Sequence, residues 1–245
     1  MGSRLPAFIS KRGLFTGLRL YAHFKSRSQK AIRLPWLKHP VYFRGIESDA
    51  RMFEQLFINS EYDVPLSFQP KTIIDLGANV GYAALFYANK YPQATIFSVE
   101  PDTDNHAIAT KNTALYKNVQ LVKGAVWHEA AIINLVDKGY GEAGYMVETG
   151  EGPNTIKAYT ITKIMQLLNT EIIDILKIDV EGTEKELFEN NYHYWLPRTR
   201  LLIVETHDRY KKGTSKAVFK AVSEYNFSLE LSGENLVLYN NDLNA

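Results

Sequence analysis

KTIIDLGANVGYAALF, Lys71 to Phe86, is the stretch whose reading decides the fold. Thr72–Ile73–Ile74 is a β-branched run between Pro70 and Gly77, the pattern of a short buried strand, with Asp75 at its carboxyl end. Gly77 and Gly81 bracket a tight turn. Tyr82, Leu85, Phe86 and Asn89 then recur at helical spacing until Pro92 stops the run. A strand, a glycine turn and a helix N-terminus form a nucleotide-type cradle, because the missing Cβ atoms let a ligand approach the backbone and the first helical N–H groups point at it.

The glycine spacing separates two ligands. A dinucleotide site needs G-x-G-x-x-G, the second glycine clearing room for a pyrophosphate. Here Asn79 stands at that second glycine. S-adenosylmethionine has no phosphate; Asp75 suits its amine, and the open turn at Gly77 and Asn79 suits its methionyl end. Tight turns also use glycine for structural reasons alone, so the loop needs support from the rest of the chain.

That support comes from the strands on either side. Ala94–Val99 reads as the neighbouring strand, ending in Glu100–Pro101–Asp102. An acid there, Glu100, suits the two hydroxyls of a bound ribose. Val119–Val122 is a third strand, and Gly124 and Ala125 follow it where backbone groups would meet an adenine edge. Trp127 reads as a core or edge aromatic. Ile172–Gly182 is a buried parallel strand running into acids, with Thr183 and Glu186 spaced as a capping box. Leu201–His207 is a fifth core strand. Asp179, Glu181 and His207 thus fall at the carboxyl ends of strands, where such sheets bind ligands. Lys177, inside its strand, either snorkels to the rim or pairs with an acid, with the structural role favoured. A hairpin of 227–231 and 235–239 closes the chain. Alternating strands and helices predict a doubly wound α/β sheet.

Other segments are less regular. Val41–Tyr42–Phe43 reads as a short strand, and Ser48–Asp49 as the cap of a helix with Met52, Phe53, Leu56 and Phe57 on its apolar face. Residues 131–161 read as two strands separated by glycine- and tyrosine-rich loops around Tyr140 and Tyr145, a passive hairpin or a lid over substrate.

Composition sets the limits. At 45 % hydrophobic and 22 % charged, 245 residues can bury a full core. No run is long and apolar enough to span a bilayer or to act as a secretory signal, and Pro6 breaks the pattern for a lipidated N-terminus. The absence of Cys excludes thiolate chemistry and disulfides and fits a cytoplasmic protein. Charge is unevenly spread: residues 1–46 hold ten Lys/Arg and no Asp or Glu, while the remainder holds 18 basic against 27 acidic residues. The first expectation is attraction of this arm to its own acidic body. Phe8, Ile9, Phe15, Leu18, Tyr21 and Phe24 also suggest one amphipathic helix, which leaves open a contact with the inner face of a membrane. Broad nucleic-acid binding is disfavoured by the acidic body.

TIIDLGANVGYAALFYA, FSVEPD, VKGAVW, DILKIDVEGTEKELF and LLIVETHD, in this order, resemble the FkbM-type S-adenosylmethionine-dependent methyltransferases across residues 41–230. The resemblance implies a class I, Rossmann-like fold of seven strands with an antiparallel last strand, and O-methylation of a sugar, glycan or natural-product hydroxyl. It places Asp75, Gly77, Asn79, Gly81, Glu100 and Pro101 on the cofactor motifs, and Asp179, Glu181 and His207 on the acceptor side. Residues 1–46 then form a basic extension ahead of a methyltransferase domain, 47–245. His207, with an ordinary pKa of about 6.5, or Asp179 would accept the acceptor's proton. No metal is assigned, although Asp179, Glu181, Glu205 and His207 offer a lesser reading as a Mg²⁺ or Mn²⁺ site. The competing classes are a nucleotide-using oxidoreductase, against which Asn79 argues, and a non-catalytic, membrane-docked accessory protein of glycan biosynthesis, against which the intact cofactor set argues.

Overall fold

The computed structural model describes residues 4–137, 145–149 and 155–244, of which 135–137 and 145–149 are described by their backbone alone. Two short helices, α1 (Leu5–Arg12) and α2 (Leu14–Lys25), lead to α3 (Glu47–Phe57). Strand and helix then alternate through β1 (Thr72–Leu76), α4 (Tyr82–Lys90), β2 (Thr95–Glu100), α5 (Thr103–Thr113) and β3 (Val119–Lys123). A side sheet follows, made of β4 (Ala125–Val126), β5 (Ile132–Asp137), β6 (Tyr145–Thr149) and β7 (Thr155–Tyr159). The chain returns to the main sheet through α6 (Ile161–Leu167), β8 (Ile173–Ile178), α7 (Glu184–Glu189), α8 (Tyr192–Trp195), β9 (Thr199–Glu205), α9 (Thr214–Val222), β10 (Phe227–Ser232) and β11 (Asn235–Asn240).

The main sheet has seven strands in the order β10-β11-β9-β8-β1-β2-β3. β11 runs antiparallel to both of its neighbours, and the other pairings are parallel. This is the class I methyltransferase sheet with its antiparallel last strand. Successive residues of the central strands point to opposite faces, and each face has its own core. Ile73, Ile175, Leu201 and Ile203 pack with α3 and α4 on one side; Ile74, Leu176, Leu202 and Val204 pack with α6, α7 and α9 on the other. The strand order reverses at β1, so a crevice opens at the carboxyl ends of β1, β2 and β8.

The basic extension is built into one of these cores. α1 and α2 form a hairpin broken at Gly13, not one continuous helix. They meet closely at Gly17, where a Cβ would lie 2.6 Å from the backbone nitrogen of Ile9. Phe8 and Leu20 are fully buried, and Phe24, Phe43, Phe53 and Tyr82 join extension, α3 and α4 in one aromatic cluster, with Phe24 and Phe43 centroids 5.0 Å apart. Arg4 pairs with Glu47 and Glu54.

Local expectations fail where tertiary contacts take over. Ile46, not Ser48 or Asp49, precedes the helix, because Asp49 is buried in an ion pair with Arg44 at 2.6 Å. Val41–Phe43 contributes a single bridge from Val41 to Ile32 instead of a strand. β6 adds a third strand to the two read over 131–161. The loop segments around the suggested lid, including Tyr140, lie outside the described residues.

Because Phe8 shares a core with α3 and α4, Phe8→Ala should cost about 3 kcal/mol and lower the midpoint of one common unfolding transition in calorimetry. A separate early transition that absorbs the whole effect would show that the extension folds on its own.

Candidate functional site

Three left-handed residues shape the turn after β1: Gly77 (φ 79°), Asn79 (φ 47°) and Gly81 (φ 85°). The turn is held from both sides. Gly77 N and Ala78 N donate to Val99 O at 3.0 and 2.9 Å, and Asn79 N donates to Glu100 Oε2 at 2.7 Å. On the β8 side, Asp179 N donates to Leu76 O at 3.1 Å. A Cβ on Gly77 would fall on the Asp179 carbonyl oxygen, so glycine here lets the β1 turn and the β8 loop touch.

Glu100 is 4 % exposed and also accepts from Asp102 N at 2.9 Å and Asn105 Nδ2 at 3.3 Å. Burial pushes its carboxyl up to about 7 against these hydrogen bonds. Pro101 is half-buried beside it, and Asp102 caps α5 by accepting from Asp104 N and Asn105 N. The Gly124 N–H is taken by Glu100 O at 3.1 Å, and Ala125 pairs with Ala158 of the side sheet. The residues read as an adenine edge therefore bridge the two sheets.

Asp75 is fully buried. Its Oδ2 accepts from Ser98 Oγ at 3.1 Å, and its Oδ1 lies 3.4 Å from Lys177 Nζ. Lys177 is 2 % exposed and so does not snorkel. Its ammonium donates to Gly77 O at 2.6 Å and lies 3.4 Å from Asp179 Oδ2. Burial pulls its pKa down, but the charge of Asp179, the nearby Tyr62 phenol and the charge of Asp75 outweigh this and leave it well above the usual lysine value. It stays a cation.

Four carboxylates converge on His207, which is itself 2 % exposed. Nδ1 lies 2.8 Å from Glu184 Oε1, and Nε2 lies 3.3 Å from Glu205, 3.5 Å from Glu181 and 3.7 Å from Asp179. Burial opposes its charge, but the bonds to Glu184 and Glu205 and the charge of Asp179 raise it to about 11. The expectation of an imidazole with an ordinary pKa is corrected here: His207 is an imidazolium at neutral pH. Tyr210 stacks on its ring. Glu181 takes a left-handed backbone (φ 53°), a strained conformation for this residue. Burial, then the charge of Asp179, raises its carboxyl to about 8.

Glu184 escaped the sequence reading. The Thr183–Glu186 capping box does not form; Thr183 makes no side-chain cap bond, and Glu186 pairs with Lys211. Instead the fully buried Glu184 accepts from Val180 N and Gly182 N and holds His207 Nδ1. The signal was an acid in the first helical turn after an E-G pair, which the capping-box pattern masked.

Two ligand sites follow from these atoms. At the β1 turn, buried Asn79 Oδ1 accepts no hydrogen bond, Asp75 Oδ1 faces the Lys177 ammonium at 3.4 Å, and Glu100 stands beside them. Such acceptors fit a ligand that brings an ammonium and hydroxyl donors, as S-adenosylmethionine does, and do not fit a phosphate. At the β8–β9 ends, Asp179, Glu205 and His207 each offer a ligand atom within 4.8 Å of the others, a set able to hold a metal ion. Glu184 on the far ring nitrogen orients His207 as second-layer carboxylates do in metal sites.

A family model described as the methyltransferase FkbM domain matches residues 75–229. Methyltransferase sdnD of Sordaria araneosa is 32 % identical over 192 residues, 63 % of this chain and 73 % of that protein. Methyltransferase 1 of Beauveria bassiana (strain ARSEF 2860) is 26 % identical over 159 residues, 55 % of this chain and 64 % of that protein. The solved methyltransferase FkbM from Methylobacillus flagellatus KT is 12 % identical with a TM-score of 0.48, covering 96 % of this chain and 58 % of that one. The chain thus spans less than two thirds of the length of the last two. The family model runs from Asp75 in β1, through the glycine turn and both acid-bearing strand ends, into the start of β10, and by it this chain belongs to the methyltransferase FkbM domain family.

Proposed function

We propose that the chain is an S-adenosylmethionine-dependent O-methyltransferase acting on a hydroxyl of a sugar, glycan or other natural product. One observation carries this reading: the Gly77–Asp179 contact sets a cluster of partly exposed carboxylates directly against the cofactor turn. Bound S-adenosylmethionine supplies an electrophilic methyl on a sulfonium. Asn79, Asp75 and Glu100 are the groups that would hold its amine and ribose.

A hydroxyl acceptor must lose its proton as its oxygen attacks. Asp179 is placed for that role, because it is 20 % exposed while Lys177 fixes one of its oxygens at 3.4 Å. His207 is enclosed and engaged at both nitrogens, which makes it a positioning residue for Asp179, Glu181 and Glu205. Several carboxylates in one crevice also suit an acceptor with several hydroxyls, as in a polyol or sugar. In-line alignment of acceptor oxygen and methyl supplies the rest of the rate.

Calorimetric titration should give micromolar binding of S-adenosylmethionine and S-adenosylhomocysteine, weakened at least about tenfold by Asn79→Ala. Over a panel of sugars and glycans, Asp179→Asn should lower kcat by about 10²–10⁴ with cofactor affinity unchanged. Absence of cofactor binding would overturn the enzyme reading and favour a non-catalytic accessory protein. Full turnover by Asp179→Asn would overturn the assignment of the base.

A second reading rests on the Asp179–Glu205–His207 set, in which Mg²⁺ or Mn²⁺ would take the place of the proton on His207 Nε2 and lower the acceptor's pKa. Under it, Mn²⁺ binds near one equivalent by titration, Glu205→Gln abolishes that binding, and EDTA stops turnover. Turnover that survives EDTA excludes this reading.

A further inference from the structure

The exposed face of the α1–α2 hairpin does not match a surface meant for water. Phe15 is 87 % exposed, Leu14 55 % and Leu18 43 %. Phe15, Leu18, Ala22 and Lys25 follow one another along the outer side of α2, opposite the buried Gly17 and Leu20. Lys11 precedes this apolar patch and Arg19 stands beside Leu18, both exposed. Arg19 Nη1 donates to Arg33 O at 3.1 Å, which brings the exposed Arg33 to the same hairpin.

The acidic body does not claim these cations. Arg4 and Arg44 pair with Glu47, Glu54 and Asp49, and Arg12 lies over the Trp36 ring. Among the described residues, Lys11, Arg19, Lys25, Lys30, Arg33 and Lys38 have no carboxylate partner within ion-pair distance, and the first 46 residues contain no acid at all. Self-attraction therefore accounts for the inner cations and leaves the outer ones unexplained. Large apolar side chains between unpaired cations are the pattern of a helix lying in a membrane interface. Each Phe or Leu moved out of water there gains up to about 1.5–3 kcal/mol, and each nearby cation about 1 kcal/mol on an anionic leaflet. Nucleic acid would use the cations but gain little from the aliphatic Leu14 and Leu18, and the acidic body would repel it. No helix among the described residues is long and apolar enough to cross a membrane, so the contact would be peripheral.

We propose that this hairpin docks the protein on an anionic lipid surface, with Phe15 and Leu18 inserted among the headgroups and Lys11, Arg19 and Lys25 against them. The body, with its excess of acids, is repelled by the same surface, which orients the hairpin toward it. The argument is independent of the methyl-transfer reading.

The test is flotation of the full chain with phosphatidylcholine vesicles and with vesicles in which phosphatidylglycerol replaces about a third of the lipid. Wild type should float with the anionic vesicles alone. Phe15→Ser/Leu18→Ser and, separately, Lys11→Ala/Lys25→Ala should each cut the bound fraction at least tenfold, with far-UV circular dichroism unchanged, since all four side chains are exposed. Failure of wild type to bind anionic vesicles overturns the proposal, as does undiminished binding by the Phe15/Leu18 variant. A wild-type dimer that the Phe15/Leu18 variant converts to monomer would assign the face to a second copy of the chain and overturn it equally.

Discussion

A single buried ammonium holds the centre of the molecule together. Lys177 Nζ lies 3.4 Å from both Asp75 and Asp179 and donates to the carbonyl of Gly77 at 2.6 Å. β1 and β8 are adjacent strands, and the pair of carboxylates they bring together would repel without a cation between them. Taking these charges from water costs several kcal/mol per ion, which such a pairing offsets only with good geometry and further hydrogen bonds. Ser98 on Asp75 and the Gly77 carbonyl on Lys177 supply those bonds. The charges of this network depend on Lys177, and removing it would leave the buried Asp75 carboxylate facing Asp179 with no cation between them.

From this cation the two halves of the crevice become mechanically linked. The glycine turn and the β8 loop share the Lys177 hub and the Gly77–Asp179 backbone contact. A ligand that adjusts Asn79 or Asp75 therefore presses on the element that carries Asp179. The next layer out repeats the theme with the same signs: His207 gathers Asp179, Glu181, Glu184 and Glu205 around one imidazolium. Each acid cluster encloses one cation, and Asp179, Glu181 and Glu205 remain partly exposed.

Much of the fold was legible because its signals are local. The β-branched run at 72–74 and the aliphatic run at 201–204 read as parallel strands, and the glycines and Pro92 marked the ends of the β1 turn and α4. The acids at 75, 100, 179 and 181 stood out because each ends a strand. The fates of these acids were not legible, since they depend on neighbours far along the chain. Asp75 and Lys177 are separated by about a hundred residues, so nothing near Lys177 tells a snorkelling side chain from a buried ion pair. Glu184 was hidden for a similar reason: its partner His207 is 23 residues away, while the nearer Thr183–Glu186 pattern pointed to a cap. Asp49 read as a cap because its true partner, Arg44, lies outside α3, while Asp49 itself sits in the first turn.

The same contrast explains the basic extension. Its composition announced a partner of opposite charge, yet composition cannot divide ten cations into those that face inward and those that face out. Burial makes that division: Arg4, Arg12 and Arg44 are half-buried, the first two holding the hairpin to α3 and Trp36 and the third tying the segment before α3 to Asp49 and α5. Hydrophobic residues divide in the same way, with Phe8, Leu20 and Phe24 facing the core and Phe15 and Leu18 facing out. A single amphipathic helix would have placed all its apolar residues on one side. Folding the segment back at Gly13 gives it two apolar faces, one that fastens it to the body and one that remains available to a surface.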